Sequence, residues 1–71
     1  MFDDELREFF RERARRSRLL YLLTKIELDR GDESAEAREA RTLVKRYFRG
    51  EIGFEEALKR LRELARDSLR K

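Results

Sequence analysis

Side chains that could perform catalysis are few in this sequence, and none has the neighbour that would activate it. The hydroxyl groups belong to Ser, Thr and Tyr, but the chain contains no His to act as a general base and no Cys to act as a nucleophile. The Glu-x-x-His motif of carboxylate-bridged metal bundles cannot occur, and Gly31, Gly50 and Gly53 do not form a phosphate-binding loop. We therefore expect a protein that is not an enzyme, with no catalytic residues, no metal site, no cofactor and no small-molecule substrate.

The densest charge is a run of arginines in residues 11–18. Arginine donates paired hydrogen bonds to phosphate, so these side chains could contact a nucleic acid. The candidates are Arg11, Arg13, Arg15, Arg16 and Arg18. A solvated helix surface balanced by Glu8 and Glu12 explains the same run, and base stacking would need exposed aromatic rings, which here fit a core. The net charge is only +3, because 16 acidic residues are interspersed with 19 basic ones. A small nucleic-acid-binding or nucleoprotein-assembly module is therefore the alternative function.

Residues 30–32 spell Arg-Gly-Asp, which resembles the integrin-recognition tripeptide. Three residues of this kind also arise by chance in a chain that is 49% charged. An ordinary glycine turn between two helices accounts for them equally well.

The spacing of apolar residues predicts three helices and no strand. The first runs from about 3 to 30, with acidic residues in its first turn and Gly31 at its end. The second covers about 35–49, after the N-cap residue Ser34, and the third about 54–69. The loop at 50–53 is so short that the second and third helices should form an antiparallel hairpin. All 71 residues fit one domain, near the lower size limit for a self-sufficient core.

The first helix is too long and too apolar for a compact three-helix bundle. At about 1.5 Å per residue it would span roughly 42 Å, against roughly 23–24 Å for each of the others. A helix that is apolar on more than one side normally has neighbours on each of them. One apolar stripe starts at Leu6 and Phe10 and continues through Leu20, Tyr21 and Leu28. A second face carries Leu19, Leu22, Leu23 and Ile26.

Two structures would accommodate these faces. In the first, the long helix persists and pairs with a second copy or another protein, and its interface comprises Phe2, Leu6, Phe9, Phe10, Leu19, Leu22, Leu23 and Ile26. In the second, the helix breaks near Ser17, and the chain folds as four short helices with the second face inside. Because no Gly or Pro lies near Ser17, we favour the long helix.

The segment LVKRYFRGEIGFEEAL at 43–58 resembles the hairpins of computationally designed helical bundles, and EEALKRLREL at 55–64 has the same character. The likeness covers residues 34–71 and implies an idealised, thermostable de novo scaffold. The chain also lacks Asn, Gln, His, Cys, Trp and Pro, as a natural thermophile protein could. Phe2 at the exposed start and Gly53, where a designer would place Ser or Asp, depart from the pattern.

These patterns together predict an all-α bundle with a structural role. Its function would be self-association or protein binding through the first helix, with arginine–carboxylate pairs setting the register. No apolar run reaches the length of a membrane-spanning helix, so we expect no membrane partner. If the protein is natural, we expect it in the cytoplasm.

Overall fold

The first helix is long and continuous. A computed structural model describes residues 2–66, with Phe2 described by its backbone alone, and shows α1 at Phe2–Arg30, α2 at Ala35–Phe48 and α3 at Phe54–Leu64. No Gly or Pro interrupts α1, which therefore passes through Ser17 without a break. The prediction of a long helix followed by a hairpin is confirmed, and the four-helix alternative is wrong. The predicted third helix extends to residue 69, but α3 ends at Leu64 with Ala65 as its C-cap, and the part of the prediction beyond 66 lies outside the described residues.

The turn between α1 and α2 is closed by the two residues that the sequence singled out. Gly31 has a φ of 93°, and its N–H donates to the carbonyl of Glu27 at 2.9 Å. Ser34 then caps α2, since its Oγ accepts from the N–H of Ala37 at 3.1 Å. Arg41 holds this end in place by donating to Glu27 Oε2 at 2.9 Å and to the carbonyl of Asp32 at 2.7 Å. The Arg-Gly-Asp tripeptide is thus part of an ordered helix-ending turn.

The turn between α2 and α3 depends on Gly50. Its φ of 77° lies in the left-handed region, and the N–H of Gly50 donates to the carbonyl of Tyr47 at 3.0 Å. The next N–H, of Glu51, donates to the carbonyl of Arg46 at 2.8 Å. These two bonds form a Schellman motif, which ends a helix and reverses the chain within a few residues.

Gly53 is the weakest point of this turn, and replacing it by serine should stabilise the fold. It precedes α3 with φ −80° and ψ 166°, makes no side-chain cap bond, and has no atom within 4 Å of an added Cβ. A serine hydroxyl at this position would cap α3, and the unfolded chain would lose freedom, so Gly53→Ser should raise the free energy of unfolding by about 0.5–1 kcal/mol. Urea unfolding measures this change. Gly50→Ser is the matched control and should lower the value, because of its positive φ. A loss of stability in Gly53→Ser would contradict this account of the cap.

The core lies where the hairpin covers one face of the C-terminal half of α1. From α1 it contains Leu19 and Ile26, both fully buried, and Leu22 at 5% exposure. Leu23 packs against it from a half-buried position. The hairpin contributes Ala37, Ala40, Leu43, Val44, Ala57, Leu58, Leu61 and Ala65. The four alanines let the helix backbones approach closely, so that small side chains fill this core.

This core corrects part of the predicted interface. Leu19, Leu22 and Ile26 were expected to meet a partner, but they are buried within a single chain. Leu23, expected at the same interface, packs against the core from a half-buried position. The physical reason is that α2 and α3 both pack on the same face of α1, and together they cover it without a fourth helix. Of the other predicted interface residues, the side chain of Phe2 lies outside the described part of the chain.

Candidate functional site

The most prominent surface feature is an apolar face of α1 that points away from the core. Six large apolar side chains on it are 44–79% exposed. We call this surface the outer face; its residues are Leu6, Phe9, Phe10, Leu20, Tyr21 and Leu28. A small monomeric protein usually exposes apolar residues singly, and several large ones grouped on one helix face are typical of an interaction surface.

Helix periodicity explains why these residues share one side. Positions 6, 10, 13, 17, 20, 24 and 28 follow steps of three and four, which return to the same face of an α-helix. Phe9 and Tyr21 flank this line, one on each side. The buried residues Leu19 and Ile26 lie on the opposite side. Within residues 2–66, the hairpin covers that side alone and leaves the outer face exposed.

The N-terminal part of α1 projects beyond the hairpin. Of the α1 residues that contact the hairpin through hydrogen bonds or ring contacts within residues 2–66, Glu12 lies nearest to the N-terminus. Residues 3–11 are all exposed. We call residues 2–11 the arm. It carries Phe9 and Phe10, whose rings meet edge to face with centroids 5.6 Å apart, both 59% exposed.

The arginine run is divided between the bundle and the solvent. Arg15 lies over the ring of Phe54 at 5.4 Å, and Arg16 lies over the ring of Phe48 at 5.0 Å. These two cations stabilise the junction of α1 with the hairpin, because an aromatic face attracts a guanidinium. Two of the predicted phosphate contacts are therefore engaged inside the chain.

The other three arginines of the run point to solvent. In the part of the chain that the structure describes, the one ion pair of Arg11 is with Glu8, at 3.3 Å on the exposed arm. Arg13 and Arg18 are exposed and form no ion pair within the described part of the chain. An exposed pair such as that of Arg11 adds little stability, so these three remain available to a partner.

A contact that the sequence did not reveal fixes the hairpin to the middle of α1. Tyr47 donates its hydroxyl to both carboxylate oxygens of Glu12, at 2.9 and 3.0 Å, and Arg16 Nε donates to Glu12 Oε2 at 3.0 Å. The pKa of Glu12 is lowered, chiefly by the hydrogen bond from Tyr47 and secondly by the one from Arg16. The pKa of Tyr47 is raised, chiefly by burial and secondly by the hydrogen bond to Glu12. Both shifts favour a neutral tyrosine that donates to an ionised carboxylate.

The Glu12–Tyr47 contact should make stability depend on pH at both ends of the scale. A lowered carboxyl pKa contributes stability above the usual value of 4.5, which is lost as the pH falls through the lowered pKa. A raised tyrosine pKa contributes stability below the usual value of 10.0, which is lost as the pH rises through the raised pKa.

Tyr47→Phe should remove both contributions while keeping the ring. We expect the pKa of Glu12 to move back towards 4.5 in an NMR titration, and the variant to be less stable than the parent at neutral pH. Urea unfolding at pH 7 and pH 3 should show a smaller difference between the two proteins at the acid pH. An unchanged Glu12 titration would show that the hydrogen bond is not formed in solution.

A shallow groove lies beside the outer face, between α1 and α3. It is lined by Ala14, Ser17, Arg18, Tyr21, Leu22 and Arg62. Two exposed guanidinium groups and an exposed phenol ring therefore come together here, although Arg62 is distant in sequence. The expectation that the aromatic residues belong to the core is thus not met for Tyr21, Phe9 and Phe10.

The predicted interface included Leu6, Phe9 and Phe10 of the arm but left out the C-terminal half of the outer face, although the sequence placed it on the same stripe. Leu20, Tyr21 and Leu28 continue the stripe begun by Leu6 and Phe10, and this spacing was the signal that could have placed them at the surface. The sequence alone offered two apolar faces on one helix, and periodicity does not tell which of them the hairpin covers.

Two other kinds of site would bear on function, a metal site and a membrane-spanning helix. Within residues 2–66, no group of three or more Asp and Glu side chains is arranged to hold a metal ion. No helix in that range combines the length and the apolar character needed to cross a membrane. Compared with known protein families, curated proteins and solved structures, the chain matches none of them.

Proposed function

We propose that this chain is a structural protein, not an enzyme, that assembles with itself through the outer face of α1. The observation that carries this proposal is the row of six exposed apolar side chains on the side of α1 opposite the core. Removing such side chains from water is favourable, and the hairpin cannot cover them because it already occupies the other side.

The size of the core supports the same function. The largest fully buried side chains of the described chain are Leu19, Ile26 and Leu61, and four of its eleven buried apolar residues are alanines. A domain of this size without disulfides or metals has a small stability margin. Association through α1 would add buried apolar area to the fold, so that assembly and stability reinforce one another.

Molar mass in solution tests the proposal. We expect light scattering after size exclusion to give a multiple of the 8.7 kDa chain mass at both low and high salt. Apolar association holds or strengthens as salt rises, whereas association through surface ion pairs weakens. A monomer at both salt concentrations would overturn the proposed self-assembly.

One observation favours a second function, binding of single-stranded nucleic acid. Tyr21 is 59% exposed in a groove beside Arg18 and Arg62, so a base could stack on its ring while the guanidinium groups contact phosphates. A fluorescently labelled oligonucleotide tests this function by anisotropy. Binding should weaken steeply as salt rises, and Tyr21→Ala should weaken it at every salt concentration. Absence of binding at low salt would remove this candidate. The resemblance to designed bundles stays a prediction under either function.

A further inference from the structure

We infer that the partner of the outer face is a second copy of this chain, docked antiparallel so that the arm of each copy covers the C-terminal half of the other copy's α1. This inference rests on the proposed self-assembly and adds the partner's orientation. It starts from the distribution of the exposed apolar side chains. They form one group on the arm and a second group from Leu20 to Leu28, separated by the polar residues Arg13 and Ser17.

A two-fold axis near the middle of α1 satisfies both groups at once. In an antiparallel pair, the arm of the first copy lies on the second group of its partner, and the partner's arm lies on the second group of the first copy. The projection of the arm beyond the hairpin is what makes this possible, since no part of the arm's own hairpin stands in the way. A twofold interface of this kind uses one surface twice and closes at two copies.

The alternating steps of three and four define the register. Positions 6, 13 and 20 belong to one row and positions 10, 17 and 24 to the other, as in the seam of a two-stranded coiled coil. An antiparallel seam brings one row against the other, which places Phe10 of each copy opposite Leu20 of the other. The same register places Leu6 opposite Thr24 and Arg13 opposite Ser17. Ala14 and Ser17 lie at the centre, where small side chains let two helices approach closely.

Charge disfavours the parallel arrangement. A parallel pair would place Arg13 of one copy against Arg13 of the other within the apolar seam, and Arg13 has no ion-pair partner in the described part of its own chain. It would also bring together the two acidic first turns, which contain Asp3, Asp4 and Glu5. Like charges in contact at an interface oppose association. The antiparallel pair moves the two acidic first turns to opposite ends of the seam and opposes the two helix dipoles. It places each Arg13 against Ser17, with the two Arg13 residues offset by about 6 Å along the helix axis.

The area available is sufficient for a specific dimer. The six outer-face side chains are 44–79% exposed. At roughly 100 Å² for each side chain, two copies would bury about 1,000–1,200 Å², which lies at the lower end of the range for specific interfaces.

The absence of cysteine allows a clean cross-linking test on the full chain. Leu6→Cys and Thr24→Cys are made separately, checked for fold and molar mass in the reduced state, mixed, and oxidised. We expect the disulfide between the two variants to dominate and each variant alone to cross-link poorly, because only facing positions approach closely enough. Arg38→Cys, an exposed site on α2, controls for disulfides formed by random collision.

The possible results separate the two proposals. Efficient self-cross-linking of Leu6→Cys and of Thr24→Cys would show a parallel dimer and overturn the orientation, while self-assembly stands. A dimer by molar mass without the mixed disulfide would overturn the register. A parent chain that is monomeric would overturn self-assembly itself.

A distance measurement on one conservative variant provides an independent check. Thr24→Cys alone, which removes no apolar contact, is labelled with a nitroxide. The antiparallel register puts the two labelled positions about 27 Å apart along the helix axis, whereas a parallel pair would put them side by side. A single short distance between the labels would overturn the inference.

Discussion

Replacing Ile26 by glutamate is expected to leave the chain without its folded structure. Ile26 is fully buried between α1 and the hairpin, so the substitution places a carboxyl group in an apolar core with no partner. A domain of this size has roughly 3–5 kcal/mol of stability from its core, and a buried unpaired charge costs a similar amount or more. Circular dichroism in buffer should show the loss of helix. Ile26→Ala, which leaves a cavity at the cost of about 2–5 kcal/mol, should be strongly destabilised in the same assay.

Leu28→Glu is the matched control, because it makes the same kind of change two residues further along the same helix. Leu28 is 79% exposed, so this variant should keep the fold. The pair of variants therefore distinguishes the two apolar faces of α1. A folded Ile26→Glu variant would mean that Ile26 lies outside the core, and the packing of the hairpin described above would have to be wrong.

The double substitution Phe10→Glu with Leu20→Glu is expected to abolish assembly while the bundle stays folded. Both side chains are about half exposed in the single chain, so charging them costs the monomer little. In the proposed dimer, position 10 of each copy faces position 20 of the other. The substitutions would therefore place four carboxylates in the apolar seam of each dimer. We expect the dissociation constant to rise by a factor of about 100 or more, which corresponds to about 2.7 kcal/mol.

Sedimentation equilibrium over a range of concentrations measures this change, and circular dichroism confirms the fold. Thr42→Glu is the control, since Thr42 is exposed on α2, away from the outer face and from the junction of α1 with the hairpin. It should leave the dissociation constant close to that of the parent chain. A double variant that assembles as tightly as the parent would move the interface away from the outer face.

The number of helices and most of their ends could be predicted because each depends on a few neighbouring residues. Gly31 and Gly50 end α1 and α2, and Ser34 begins α2, for reasons of local backbone geometry and hydrogen bonding. The length of α1 could be predicted as well, since no helix-breaking residue occurs in it.

The tertiary contacts could not be predicted in the same way. Leu22 and Leu20 are identical in type and two residues apart, and only the position of the hairpin decides that one is buried and the other exposed. The hydrogen bond from Tyr47 to Glu12 joins residues that are 35 apart in the chain, and no periodic pattern relates them. Arg15 and Arg16 similarly looked like solvent-facing cations until the rings of α2 and α3 were placed beside them.

The exposed arm has a further consequence for the energetics of the free chain. Residues 3–11 are exposed and, within residues 2–66, make no hydrogen bond or ring contact with the hairpin. A helical segment of about ten residues held mainly by its own hydrogen bonds is only marginally stable in water. In a dilute monomer the arm should therefore fray, and its amide hydrogens should exchange with solvent far faster than those near Ile26. Docking against a second copy would protect the same amides. The helix content of the arm would then rise with protein concentration. It would therefore report the fraction of the chain that is assembled.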